Sequence, residues 1–235
     1  YPTYLLQIHF YYMKISFIKK YTLIIKLILK NFSPLRIYQI LEIKKISIEG
    51  DSIDLGATKS PNNITNFFLK NSGQIIYFDK YKNDKDVMQI DLEKYPNFIE
   101  KQFKNVFLMN VLEHIKEYKN CLRNVHSLLG KNSNFYGTTP FFFRIHPSPN
   151  DYFRFTGQLI EENLIELGFK DVKVITLGTG IFVCFYAMIY SYTKKIPFIN
   201  LFLFFICIFF DKMIEYIKPN FKENYALGYF FLGKK

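Results

Sequence analysis

The fold is decided by residues 52–61, which read Ser-Ile-Asp-Leu-Gly-Ala-Thr-Lys-Ser-Pro. The first four form a short apolar run that is typical of a buried strand. Gly56-Ala57 then lets the backbone turn sharply and approach a ligand without side-chain obstruction. Asp54 stands just before this turn, where a carboxylate repels a pyrophosphate but suits a cationic ligand. A dinucleotide site prefers a G-x-G-x-x-G turn without that acid, so the stretch predicts a strand followed by a different cofactor loop.

Strand-like runs alternate with helix-length segments from residue 50 onward. We predict strands at 52–55, 74–78, 87–90, 106–110, 134–138, 172–176 and 225–232, and helices at 118–129 and 159–167. Strands joined by crossover-length segments indicate a parallel sheet. The sequence therefore predicts an α/β, Rossmann-like, doubly wound fold with a mostly parallel seven-stranded sheet and helices on both faces. Its core spans residues 48–180, and a terminal strand within 219–235 completes the sheet.

Polar residues follow the predicted strands in a regular order. Asp79 ends the second strand, 23 residues after Gly56, where an acid would accept hydrogen bonds from both hydroxyls of a ribose. Asp91-Leu92 follows the third strand, and residues 110–115 (Asn-Val-Leu-Glu-His-Ile) follow the fourth. Each residue alone also fits a turn acid or a helix cap. Their arrival at successive strand ends favours one shared site.

These stretches resemble the motifs of class I S-adenosylmethionine-dependent methyltransferases. The first motif of that family is an acid followed by G-x-G-x-G, of which this chain keeps only Gly56, with Thr58 and Ser60 at the later glycine positions. Residues 110–115 resemble the family's V-L-E-H-I signature. The resemblance implies S-adenosyl-L-methionine as the cofactor, bound by these residues: Asp54, Gly56, Ala57, Thr58, Asp79, Asp91, Leu92, Asn110 and Glu113.

A second signature lies in residues 140–156, after the fifth strand. It resembles the P-F...H-x-x-P-x-D-Y-x-R-[FY]-T segment of a methyltransferase type 11-like subgroup that is associated with bacterial cell-surface glycan genes. We expect this loop to face the methyl acceptor, with these residues binding it: Arg144, Asp151, Tyr152 and Arg154. Arg154 either pairs with Asp151 or holds an anionic substrate. His146 is our candidate for a general base and His114 is the alternative.

The composition bears on partners and location. The formal charge is +11, yet residues 51–180 carry 16 basic and 15 acidic groups, and only four of the 31 basic residues are Arg. Because Arg is the residue that reads phosphates and bases in planar, bidentate fashion, nucleic acid is not the expected partner. Three Cys without CxxC spacing and four His without a metal motif predict reduced thiols, a cytoplasmic protein and no metal site.

Two apolar segments flank the core. Residues 1–47 form a basic, apolar, helical flank in which Pro34 is predicted to end a helix that packs on the domain or lies on a membrane. Residues 181–218 form an apolar helical insertion that Pro197 interrupts, and neither half is expected to reach spanning length. A membrane-dipping hairpin, an interfacial helix pair and a cap over a substrate pocket stay open.

The function that these features predict is methyl transfer to a small or lipid-linked glycan acceptor, at a hydroxyl, with the chain peripheral to the inner face of a membrane. Two alternatives stay open. The first is an RNA methyltransferase drawn by the positive charge. The second is a non-catalytic protein of methyltransferase fold that acts as a membrane-bound partner, which the missing glycines at positions 58 and 60 favour.

Overall fold

The computed structural model describes residues 18–57, 60, 63–67, 70–71, 73–80, 87–94 and 101–235. The predicted cofactor residue Thr58 and the first part of the N-terminal flank lie outside these residues.

The described residues contain a seven-stranded sheet with the order β5-β4-β2-β6-β7-β9-β8 and a separate parallel pair, β1-β3. Their bounds are β1 Ser47–Ile48, β2 Ser52–Leu55, β3 Lys70–Asn71, β4 Ile75–Asp79, β5 Val87–Gln89, β6 Phe103–Met109, β7 Leu129–Pro140, β8 Lys170–Leu177 and β9 Gly228–Lys234. In this sheet β9 alone runs opposite to the other six strands, and it is antiparallel to its neighbours, β7 and β8. The predicted doubly wound, mostly parallel α/β sheet is therefore confirmed.

Helices cover both faces of this sheet. They are α1 (residues 18–29), α2 (Pro34–Ile43), α3 (Tyr118–Leu128), α4 (Gly157–Glu166), α5 (Ile181–Thr193) and α6 (Pro197–Ile217). Successive residues of β6 point to opposite faces, because side chains alternate along a strand. Phe107 and Met109 join a core with α1, α2, α5 and α6, whereas Val106 and Leu108 join a second core with α3 and α4.

The predicted helix of the N-terminal flank ends before Pro34, and Pro34 itself begins a second helix. Residues 18–29 are helical and stop before Pro34, and α2 starts at Pro34 itself. Proline fits the first helical position because the amide hydrogen that it lacks has no partner there. Ser33 caps this helix, since its side chain accepts a hydrogen bond from the backbone amide of Arg36 at 3.4 Å. In α1, Ile24, Leu27 and Ile28 are buried in the core.

The insertion forms two helices, and the second is longer than expected. The prediction that neither half reaches spanning length is wrong for α6, which has 21 residues because polar residues after Phe210 continue the helix. By length and composition alone, α6 is able to cross a membrane. Of its most apolar stretch of 18 residues, 28% is buried in the protein. The shorter α5 is also apolar.

Candidate active site

A cleft of about 840 Å³, including its open mouth, lies at the carboxyl edge of the parallel strands. Five of the predicted cofactor residues line it: Gly56, Asp79, Asp91, Leu92 and Asn110. Four parallel strands of this sheet, β2, β4, β5 and β6, are followed by residues that line the cleft. These residues come together because the carboxyl ends of parallel strands meet at one edge of the sheet. We call this the first cleft.

Gly56 is required by two features of the turn after β2. Its φ is +77°, a left-handed conformation that favours glycine. A Cβ atom at this position would lie 2.5 Å from Cγ2 of Val111, which is too close for any side chain. The turn is held by the Gly56 amide, which donates to the carbonyl of Phe78 at 2.6 Å. The backbone therefore forms this wall of the cleft.

Asp54 lies below the first cleft and does not line it. Its side chain is fully buried, because β2 is covered on both faces, and Oδ2 accepts hydrogen bonds from Asn63 at 3.2 Å and Thr65 at 3.0 Å. Oδ1 has no hydrogen-bond partner among the described residues. Burial raises the pKa of Asp54 to about 7. Two other predicted cofactor residues, Ala57 and Glu113, are also outside the lining of this cleft.

Lys80 and Glu93 are cleft residues that sequence reasoning missed. Nζ of Lys80 lies 2.6 Å from a carboxylate oxygen of Glu93 and 3.3 Å from Oδ1 of Asp91. Glu93 also accepts the backbone amide of Lys116 at 3.0 Å. Its pKa is lowered, chiefly by the hydrogen bond from Lys80. Lys80 follows the predicted acid Asp79, and Glu93 lies two residues after the predicted acid Asp91. This closeness in sequence could have identified both as cleft residues.

Glu113, His114 and His146 form a cluster beside the first cleft. Oε1 of Glu113 lies 3.7 Å from Nε2 of His114 and 3.7 Å from Nε2 of His146. The Glu113 side chain is fully buried, and Oε1 has no hydrogen-bond partner among the described residues. The pKa of His146 is raised, first by Glu113 and further by the carbonyl of Arg144.

The loop that carries His146 is fixed by an ion pair. Arg154 donates to both carboxylate oxygens of Asp151, at 2.5 and 2.7 Å, and this bidentate pairing holds the pKa of Asp151 far below its usual range. Asp151 also accepts the backbone amide of His146 at 2.8 Å. The amide of Tyr152 donates to the carbonyl of Glu113 at 2.8 Å, which ties this loop to the other half of the cluster. The geometry thus gives Asp151 and Arg154 a positioning role.

A second cleft adjoins the first one and shares three residues with it: Asn110, His114 and Ser148. His146 also lines it. Its other wall comes from the turn after α1, from α2 and from the C-terminal end of α5, and it carries three cationic groups, those of Lys30, Arg36 and Lys194. Local sequence patterns did not predict that the N-terminal flank forms this wall. Arg144 and Arg154, two of the predicted substrate residues, line a neighbouring depression, and Tyr152 lines the first cleft.

No family model and no curated protein sequence matches this chain. Solved structures do resemble it. It aligns with the 1,6-didemethyltoxoflavin-N1-methyltransferase of Burkholderia thailandensis at 13% identity and a TM-score of 0.50, over 86% of this chain and 78% of that one. A second match, named as a possible histamine N-methyltransferase of Thermotoga maritima, has 13% identity and a TM-score of 0.50 over 89% and 92%.

The carbon methyltransferase CurJ gives a TM-score of 0.51 at 13% identity, over 86% of this chain and 55% of that one. Together with the strand order, these alignments decide the architecture. The chain has the class I methyltransferase fold. The first cleft lies at the carboxyl edge of the methyltransferase sheet, where open α/β folds bind their ligands. The names of the three proteins give nitrogen and carbon as methylated atoms. The fold therefore leaves the acceptor atom open.

Proposed function

We propose that the chain is an S-adenosylmethionine-dependent methyltransferase that acts on a small or lipid-linked acceptor, at a hydroxyl. The observation that carries this proposal is the junction of the two clefts at Asn110, His114 and Ser148. A cofactor in the first cleft and an acceptor in the second would meet there. Methyl transfer needs this arrangement, because the acceptor atom must approach the methyl carbon in line and without competing water.

The first cleft offers polar groups for the cofactor at both of its ends. The family resemblance assigns Asp79 to the ribose hydroxyls, Asp91 and Leu92 to the adenine, and the loop after β6 to the methionine moiety. The sulfonium group of the cofactor supplies an already activated methyl group. The chain has only to bind it, orient it and keep the acceptor in place.

His146 is the residue that we assign to remove the hydroxyl proton. Its Nδ1 lies 3.1 Å from the carbonyl of Arg144 and 3.2 Å from a carboxylate oxygen of Asp151. Both oxygens accept hydrogen bonds, so Nδ1 carries the hydrogen in the neutral ring. Nε2 then keeps a lone pair that can take the proton of the substrate hydroxyl. His114, whose Nδ1 lies 2.5 Å from the carbonyl of Asn150, has the same arrangement and is the alternative base.

The second cleft favours an acceptor that carries negative charge. Lys30, Arg36 and Lys194 line it, together with the first turn of α2, whose N-terminal end carries a partial positive charge. Such a wall suits a phosphate, and the phosphate of a lipid-linked glycan combines this charge with sugar hydroxyls. The apolar helix α5 adjoins the second cleft through Tyr190 and its C-cap Lys194, and α6 packs against α5. We therefore place the reaction at the inner surface of a membrane.

Binding of S-adenosylhomocysteine, measured by isothermal titration calorimetry, tests this function. We expect one site per chain and at least about tenfold weaker binding by Asp79→Ala, since hydrogen bonds to a charged carboxylate are worth about 1.5–3 kcal/mol. The matched control is Asp171→Ala, which removes an exposed carboxylate that is paired with Lys234 at the opposite edge of the sheet. A folded wild-type chain that binds no S-adenosylhomocysteine would overturn the proposal and favour a non-catalytic role.

A further inference from the structure

We propose that Glu113, His114 and His146 form a binding site for a divalent transition-metal cation of the Zn²⁺ type. The potential ligand atoms of the three side chains all lie within 4.8 Å of one another. Two imidazoles and one carboxylate are a ligand set that Zn²⁺ and Co²⁺ bind well, and three protein ligands leave a fourth position open. The sequence predicted no metal site, because no spacing motif joins residues 113–114 to residue 146.

The first argument is the protonation of the two imidazoles. Nδ1 of His114 faces the carbonyl of Asn150 at 2.5 Å, and Nδ1 of His146 faces the carbonyl of Arg144 at 3.1 Å. A carbonyl oxygen accepts only, so each neutral ring carries its hydrogen on Nδ1 and presents a lone pair at Nε2. Metal-binding histidines have this same arrangement, in which the second nitrogen donates to a carbonyl or carboxylate.

The second argument is the carboxylate between them. Glu113 is fully buried, and Oε1 faces both Nε2 atoms without a hydrogen-bond donor among the described residues. Oε2 accepts a hydrogen bond from Thr139 at 3.4 Å, which leaves Oε1 as the inward-facing oxygen. Three lone pairs thus point at one another, and a buried carboxylate oxygen without a partner is costly. A cation at their centre satisfies all three.

The distances fit this interpretation. Ligand atoms about 2.0–2.1 Å from a tetrahedral Zn²⁺ lie about 3.4 Å apart. The two oxygen–nitrogen distances are 3.7 Å, a few tenths of an ångström longer than that value, and all three ligand atoms lie within 4.8 Å of one another. The backbone already holds the two halves together, since the amide of Tyr152 donates to the carbonyl of Glu113 at 2.8 Å.

This inference shares His146 with the proposed function and rests on separate observations. One lone pair cannot accept a proton and hold a cation at the same time. A bound cation therefore removes both His146 and His114 as bases. A hydroxyl in the open position would then bind the cation and release its proton to water, because the positive charge lowers the hydroxyl pKa.

Equilibrium dialysis with Zn²⁺ and titration with Co²⁺ test the site. We expect one cation per wild-type chain and a visible Co²⁺ spectrum without the near-ultraviolet band that binding by cysteine would add. Glu113→Gln and His146→Gln are each expected to weaken Zn²⁺ binding more than about tenfold. Replacing a residue that only hydrogen-bonds to a metal ligand already costs about tenfold or more in affinity, and loss of the ligand itself should cost more. His126→Gln is the control, because His126 packs against Phe169 away from the cluster.

Binding of S-adenosylhomocysteine by the wild-type chain separates this inference from the proposed function, and the circular dichroism spectrum of each variant reports on folding. The metal site is overturned if a wild-type chain that binds S-adenosylhomocysteine takes up no Zn²⁺. It is equally overturned if Glu113→Gln and His146→Gln bind Zn²⁺ as tightly as the His126→Gln control does.

Discussion

Asp54 is a carboxyl group that the fold prefers in its protonated form. An unfolded Asp has a pKa of about 3.9, and complete burial raises the pKa of Asp54 to about 7. The folded chain therefore binds this proton more tightly than the unfolded chain does. It follows that the contribution of Asp54 to stability is most favourable below about pH 4, declines as the pH rises to about 7 and stays low above that.

Replacement of Asp54 by Asn tests this sign. Asn keeps an oxygen for the hydrogen bonds from Asn63 and Thr65 and cannot ionise. We compare the free energy of unfolding of Asp54→Asn with that of the wild type at each pH. As the pH rises from 4.5 to 8, we expect this difference to shift in favour of Asp54→Asn by roughly 1–4 kcal/mol. Urea denaturation at the two pH values measures it, with exposed Glu161→Gln as the control. An equal difference at both pH values would show that Asp54 ionises normally.

At the scale of elements, α6 is fastened to the N-terminal end of α5 by Asp211. Oδ1 accepts the backbone amide of Phe182 at 2.9 Å, and Oδ2 accepts the amide of Val183 at 3.0 Å and the hydroxyl of Thr179 at 2.9 Å. The carboxylate thus caps α5 from a different helix and satisfies amides that have no partner within α5. Because these bonds require α6 to lie against the domain, they favour an interfacial position over a spanning one.

Asp211→Ala is expected to lower the free energy of unfolding by about 1–3 kcal/mol, because buried amides lose their acceptor. The measurement is chemical denaturation followed by circular dichroism. Glu215→Ala, four residues later on α6, is the matched control, since its ion pair with Lys212 is exposed at the Lys212 end and worth about 0–1 kcal/mol. Equal destabilisation by the two variants would contradict the capping role.

At the scale of the whole molecule, α5 and α6 give the chain a large exposed apolar surface. Phe198 is 82% exposed and Phe202 is 65% exposed, and several further apolar side chains accompany them: Phe185, Met188, Tyr192, Phe209, Met213 and Tyr216. Exposed lysines border this surface at positions 194, 195, 212 and 218. Aromatic side chains with a basic border are typical of interfacial helices on anionic lipids.

Flotation with phosphatidylglycerol vesicles tests this surface. We expect Phe198→Ser/Phe202→Ser/Phe209→Ser to reduce vesicle binding more than about tenfold, because each buried Phe contributes about 1.5–3 kcal/mol. We also expect salt to weaken binding by the wild type. Ile165→Ser is the control, since Ile165 is about as exposed as Phe209 but lies on α4, across the sheet. Unchanged binding by the triple variant would exclude this surface as the membrane contact.

Most of the architecture was predictable from local patterns. The strand at 52–55 was predicted to the residue, and that at 75–79 lies within one residue of its prediction. Short apolar runs that end in Gly or Asp identify buried parallel strands without knowledge of their neighbours. Because such strands end at one edge, the order of Gly56, Asp79, Asp91 and Asn110 along the chain was enough to predict a shared cleft.

The sequence by itself therefore determined the sheet, the position of the first cleft and five of the predicted cofactor residues that line it. Only the tertiary structure brought the N-terminal flank to the second cleft, where Gln39 and Asn110 exchange two hydrogen bonds, at 2.6 and 3.2 Å. It alone also placed His146 beside Glu113 and turned Asp54 away from the cleft. The physical reason is that strand periodicity and turn chemistry are local properties of the chain, whereas the meeting of distant side chains depends on how the helices pack.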